Sequence, residues 1–213
     1  MLRGVLTSLI MSILLLNFNC CNHLGTHPSY LFQNIRDLKL YTFTTHHKHI
    51  LGFAQPFILA PNTSISDTLD QLGRHLADNY FLKTYAQKLT HIHFEILNVD
   101  EIFTPSRKVR IALVNMVDSD RDAMDSFFQG SMGGMTTMYM LAATFMQPHL
   151  NPPLLDGLII LYNGKILSGL DHINLEGILI PRMVRHVVKR AINRTQRQAY
   201  IPKQEWVELD SSV

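Results

Sequence analysis

From Leu38 the chain alternates, with Leu40, Thr42 and Thr44 on one side and Tyr41, Phe43 and Thr45 on the other. β-Branched and aromatic residues at a period of two predict a strand over Leu38–Thr45. A polar turn, HHKH, and a second apolar run, Ile50–Leu59, complete a hairpin. Pro56 cannot donate to a ladder, which puts the second strand at an edge or breaks it there. The period then changes. Ser66 or Asp67 can cap a helix, and Leu69, Leu72, His75 or Leu76, and Tyr80 recur at helical spacing. This predicts a helix from Asp67 to about Asn79, continued or restarted towards Gln87. Alternation returns at Ile92, Phe94 and Ile96 and again over Lys108–Asp118, with a turn at Thr104–Arg107 between them.

The stretch GSMGGMTTMYMLAATFMQP begins with three glycines and continues with apolar residues at Met132, Met135, Met138 or Tyr139, Ala142, Phe145 and Met146. That spacing is a helical stripe; Ser131 is placed to cap it and Pro148 to end it. LDGLIILYNGKIL reads as a strand, an Asn163-Gly164 hairpin turn and a returning strand. A loop, DHINLEGILIP, leads to a last helix over Arg182–Gln198. The polar tail beyond it carries Trp206 as a docking anchor. The order β-β-α-β-β-α-β-β-α predicts one α/β (α+β) domain, a mixed sheet with helices packed mainly on one face.

The first twenty residues stand apart. Arg3 supplies a positive start, and Val5–Leu16 is free of charge and apolar apart from Thr7, Ser8 and Ser12. The run is shorter than the ~20 residues of a membrane-spanning helix but matches the core of a signal peptide. Cys20 and Cys21 follow at once and are the chain's two cysteines, so the folded body can hold no internal disulfide. A thiol at the end of a signal peptide can accept a lipid. LLLNFNCC resembles a lipobox, with Cys20 the first choice for acylation and Cys21 the second. The expected organisation is a lipoprotein-type signal peptide at 1–20, a tether at 21–36, an α/β domain at 37–198 and a tail at 199–213. The expected location is the bacterial cell envelope, anchored to a membrane through the lipid and facing the periplasm or the exterior.

With 46% hydrophobic and 17% charged residues the composition is that of a folded domain, and a net charge of +2 calls for no nucleic-acid partner. GSMGG is not a phosphate-binding P-loop, since no lysine lies between Lys108 and Lys165. Nor is it a nucleophile elbow, which needs its serine between Gly-x and x-Gly. No cofactor is expected. Eleven histidines raise the question of metal. His91 and His93, two apart in a strand, would point to one side as a pair of ligands, but no HExxH pattern accompanies them, and the expectation is no metal site. His172 beside Asp171 could act as a general base with an orienting carboxylate; a loop histidine bonded to backbone is the plainer reading. The acidic run DSDRDAMD lacks the glycine and glutamate of a calcium loop. The last helix carries Arg182, Arg185, Lys189, Arg190, Arg194 and Arg197, with no acidic residue from Gly177 to Gln204. It is either an amphipathic helix for a polyanionic surface or a docked helix with a basic outer face. Arg182, Arg185, Lys189, Arg190, Asp171 and His172 form the candidate partner surface.

Three stretches between Leu38 and Arg182 together resemble the GerMN domain of sporulation- and germination-type envelope lipoproteins. LKLYTF resembles its opening strand. GSMGGMTTMYMLAATFMQP resembles its Gly-Ser-x-Gly start and the helix ending in a Thr-x-x-Gln-x-Pro type pattern. LDGLIILYNGKILSGLDHINLEGILIPR resembles its next strand, turn and His-Ile-Asp-Leu loop, here His172–Leu175, with Asn174 where aspartate is common. The middle strand reads VRIALVNMVD in place of the family's Val-Asp-Leu-Ser type. The resemblance implies a non-catalytic scaffolding or binding module on an exported protein, with an envelope protein or peptidoglycan as partner and no catalytic residues. The alternatives are an exported hydrolase using His172 and Asp171 and an exported metal-binding protein using His91 and His93.

Overall fold

The computed structural model describes residues 37–46, 49–85, 88–118, 123–128, 130–167, 170, 173 and 175–200. Cys20, Cys21, Asp171, His172, Asn174 and Trp206 lie outside these, as do the expected signal peptide and tether. In order come β1 (Leu38–His46), β2 (His49–Phe57), α1 (Ile65–Tyr80), β3 (Leu82–Tyr85), β4 (Lys88–His91), β5 (His93–Phe103), β6 (Lys108–Val117), α2 (Ala123–Phe128), α3 (Gly130–Met146), β7 (Gly157–Tyr162), β8 (Lys165–Ile166) and α4 (Pro181–Tyr200). The fold is α/β, as the alternating periods predict.

β5–β6–β7–β8 form a mixed sheet in which β6 and β7 run parallel and the other neighbours antiparallel. The α2–α3 segment makes the parallel crossover. Phe94, Ala112, Val114, Met116, Leu158 and Ile160 share one face of this sheet and are buried. The opposite face carries half-exposed Ile111, Leu113, Ile159 and Leu161. α1 and α3 cover the buried face: a Cβ at Gly73 of α1 would lie 3.1 Å from Phe94 and 3.6 Å from the Phe145 ring of α3. α1 starts two residues earlier than the spacing suggests. Ser64 is its cap, accepting from the Asp67 N–H at 3.1 Å while its hydroxyl donates to the Asp67 carboxylate at 2.6 Å. This two-way bond to Asp67 is why Ser64, rather than Ser66 or Asp67, begins the helix. α1 also stops at Tyr80. The expected continuation to Gln87 is replaced by the β3–β4 hairpin.

α3 departs from the predicted stripe. Its last seven residues, Met140–Met146, are all buried, so the helix is surrounded rather than one-sided. It begins at Gly130, which puts Ser131 within the first turn instead of capping it. The Thr137 hydroxyl reaches the Phe127 carbonyl at 2.5 Å and ties α2 to α3.

β1 and β2 form a separate two-stranded sheet with one helix along each edge. On the β1 side, α3 supplies the missing partners. Gln147 accepts from the Lys39 N–H at 2.9 Å and donates to the Lys39 carbonyl at 2.7 Å; the Thr144 hydroxyl accepts from the Tyr41 N–H at 3.1 Å. On the β2 side, the Ala54 N–H donates to Thr195 of α4 at 2.9 Å. Lys39 and Tyr41 pair across the hairpin with Pro56 and Ala54. At this parity backbone groups point out of the hairpin, so Pro56 removes no bond to β1 and the strand runs through it unbroken. α4 lies against β2 where Gly52 has no side chain: a Cβ there would meet the Phe43 ring at 2.5 Å and the Ala191 Cβ at 2.9 Å.

Replacing Gln147 with alanine strands the N–H and carbonyl of Lys39, and we expect a loss of about 2–4 kcal/mol in urea unfolding. A loss within ~0.5 kcal/mol would show that water replaces the amide at no cost. Gly52→Ala overpacks the β2–α4 contact and should lower stability by about 1–3 kcal/mol, read from the same curves; an unchanged midpoint would mean that the Phe43 ring swings clear.

Candidate functional site

α4 shows two sides of different character. Val184, Val187, Val188 and Ala191 are at most 3% exposed and form the side packed into the core. Arg182, Arg185, Lys189 and Arg190 are exposed, and none has a carboxylate partner among the described residues. Arg194 is partly covered, its guanidinium 5.4 Å from the centre of the Phe53 ring. This is the docked helix with a basic outer side. An interfacial helix needs a free apolar side to insert, and that side of α4 is already used.

The Pro148–Asn151 segment, just past the end of α3, faces α4 across a groove of about 480 Å³. That size lies within the range of roughly 300–1,000 Å³ typical of ligand sites. Arg185, Lys189 and Asn193, each four residues from the next, line the α4 wall together with apolar Val188 and Ile192. Pro148, Leu150, His149 and Asn151 line the other wall. Of the four cations expected at a partner surface, the groove brings Arg185 and Lys189 together. Arg182 and Arg190 are exposed on the same helix but do not line it.

His149 is held from both ring nitrogens. Nε2 lies 2.7 Å from the Asp37 carbonyl, which can only accept, so Nε2 carries the proton. Nδ1 therefore accepts from the Tyr41 hydroxyl at 2.8 Å in the neutral ring. Burial pushes the imidazole below its usual pKa; the Asp37 carbonyl bond opposes the shift, the Lys39 charge adds to it and the Asp37 charge opposes it. The 3.7 Å approach of Nε2 to the Asp37 carboxylate is therefore not an ion pair at neutral pH. Burial, with the Asp37 charge second, pushes the Tyr41 phenol up. With both nitrogens engaged, the ring is a fixed post in the groove wall rather than a free base. No local pattern in the sequence marks His149, which lies two residues after Gln147, the residue that fastens the end of α3 to β1.

The His91 and His93 rings are 6.3 Å apart and tilted 43°. Ile92 between them is buried, and the strand breaks there, with His91 closing β4 and His93 opening β5. Among the described residues no three His, Cys, Asp or Glu gather as a metal site. His172 and Asp171 fall outside the described residues. Their neighbour Ile173 packs on α3 at Gly134, with Leu175 buried just beyond. At the end of β6, buried Asp118 accepts from the Tyr162 hydroxyl at 2.7 Å, and the Asn163 amide bonds its backbone on both sides. Asn163 and Gly164, with φ of 48° and 77°, make the left-handed pair of a type I′ turn. The Gly164 N–H reaches Asn115 at 2.8 Å, and the Asn115 amide donates to Glu95 at 3.0 Å. These polar groups bind one another and brace the turn. Among the described residues no helix is long and apolar enough to cross a membrane.

Comparison of the chain with protein-family models, with curated proteins and with solved structures finds no match.

The depressed His149 pKa fixes a sign. The folded state prefers the neutral ring, so this group's contribution is fully present above the unfolded value near 6.5 and is lost as pH falls through the folded value. Thermal melts at pH 7.5 and pH 5 should show a larger drop for the native chain than for His149→Gln. Equal drops would mean that the ring takes up its proton without cost to the fold.

Proposed function

We propose that the chain is a lipid-anchored protein of the bacterial envelope whose GerMN-like α/β domain is a non-catalytic binding module. The observation that carries the binding role is the groove, where Arg185 and Lys189 stand over Val188 and Ile192 without a carboxylate partner among the described residues. The engaged ring of His149 supports a binding rather than a catalytic use of that groove. The stretches that resemble the GerMN domain occupy structural posts: LKLYTF forms β1, Thr144 and Gln147 hold its edge, and Asn163-Gly164 makes the β7–β8 turn. Motifs spent on backbone pairing suit a scaffold better than a reaction. The anchor rests on the charge-free run Val5–Leu16 ahead of Cys20. The basic side of α4 and the loop bearing Asp171 and His172 would face the partner.

The test is the intact mass of the mature protein purified from its own host in detergent. The expected mass is that of the chain from Cys20, or from Cys21, plus acyl groups. A chain retaining Met1 and free of acyl groups would overturn the anchored reading.

A further inference from the structure

We propose that the α4 groove binds an extended acidic peptide segment, one that alternates carboxylate and aliphatic side chains, from an envelope protein partner. The inference rests on the binding-module reading above and adds the ligand class. Three features select it. Arg185 and Lys189 sit one helical turn apart, a separation of about 5–6 Å at Cβ. In an extended peptide, side chains two residues apart share a side and lie about 6.6 Å apart, so two alternate carboxylates meet the two cations together. The residues between them turn the other way, towards Pro148 and Leu150 on the opposite wall. Asn151 and Asn193 add carboxamides, which can donate to and accept from the peptide groups of the same segment.

Charge and burial decide between a peptide and a lipid surface. Both would satisfy cations. A lipid surface also needs an apolar helix side to insert; Val184, Val187, Val188 and Ala191 are closed into the core, and among the described apolar residues of α4 Met183 alone, at 44%, is exposed, too little for an inserting side. What remains is the groove, where partly exposed Leu150 and Ile192 lie between Arg185 and Lys189 on one wall and Asn151 on the other. The His149 ring, bonded at both nitrogens, keeps the loop wall in place without competing for the ligand.

The test uses the full-length chain in detergent and a fluorescein-labelled hexapeptide, Gly-Glu-Leu-Glu-Leu-Gly, followed by anisotropy. Saturable binding is expected, weakened at least tenfold when both glutamates of the peptide are replaced by glutamine. Arg185→Gln with Lys189→Gln should weaken it by a similar factor without lowering the melting temperature, since both side chains are exposed and their mutual repulsion is removed. Arg197→Gln, on the same helix outside the groove, should change it less than twofold. Raising salt from 0.1 to 1 M, which shortens the screening length from about 10 Å to about 3 Å, should weaken it further.

Absence of binding, or binding that ignores the double substitution, overturns the proposal. So does a preference for phosphatidylglycerol over phosphatidylcholine vesicles that the double substitution abolishes while the peptide stays unbound; that result would assign the cations to lipid. Failure of the peptide with an acylated mature chain removes the ligand class alone. An unacylated chain removes the anchor whatever the peptide does.

Discussion

Two side chains at the end of α3 hold the architecture together. A two-stranded hairpin leaves a row of unpaired backbone groups along each edge, and such a hairpin is at best marginal alone. Gln147 imitates a neighbouring strand for Lys39, giving one acceptor and one donor, and Thr144 does the same for the Tyr41 N–H. Thr195 of α4 serves Ala54 on the far edge. The hairpin is thus fixed between two helices by side chains instead of strands. The bonds to Gln147 set the direction in which the chain leaves α3. Pro148 and His149 therefore come to lie against α4, and the groove exists because they do.

This dependence explains what was legible in the sequence and what was not. The β1–β2 hairpin, the β5–β6 pair, the Asn163-Gly164 turn and the extent of α4 follow from local periodicity, because each is decided by neighbours a few residues away. α3 was legible as a helix but not in its burial. Helical spacing marks a one-sided stripe only when one side is packed, and Met140–Met146 are packed all round. The β3–β4 hairpin was lost to an apparent continuation of α1, since the Leu82–Lys88 stretch shows no clear alternation. The groove was half legible. Arg185 and Lys189 stood out as charges, but nothing local shows that a loop some 35 residues earlier comes to face them. His149 has no signal of its own; its partners Tyr41 and Asp37 are more than 100 residues away.

The polar groups around Asn115, Asp118, Tyr162 and Asn163 illustrate the same point for chemistry. A buried aspartate beside a tyrosine at the end of a parallel strand could be taken for a reactive pair. Its bonds to Tyr162 and Asn163, however, tie it to the turn that joins β7 to β8, and these bonds serve the fold.

The charges of α4 are not accounted for in that way. Arg182 lies in the first turn, where the helix dipole disfavours a positive charge, and no acidic residue stands there to offset it. Arg185 and Lys189 form a like-charged pair one turn apart, which costs an isolated helix a further ~0.2–0.5 kcal/mol. A helix selected for stability alone would not collect cations at its start. It holds because Val184, Val187, Val188 and Ala191 fasten the other side to β2 and α3, which frees the outer side from serving the fold. An anion in the groove would relieve the repulsion between Arg185 and Lys189, so the binding energy would include a strain that the free domain carries. On the proposed reading, stability and recognition divide between the two sides of one helix: Val184, Val187, Val188 and Ala191 serve the fold, and the exposed cations would serve a partner.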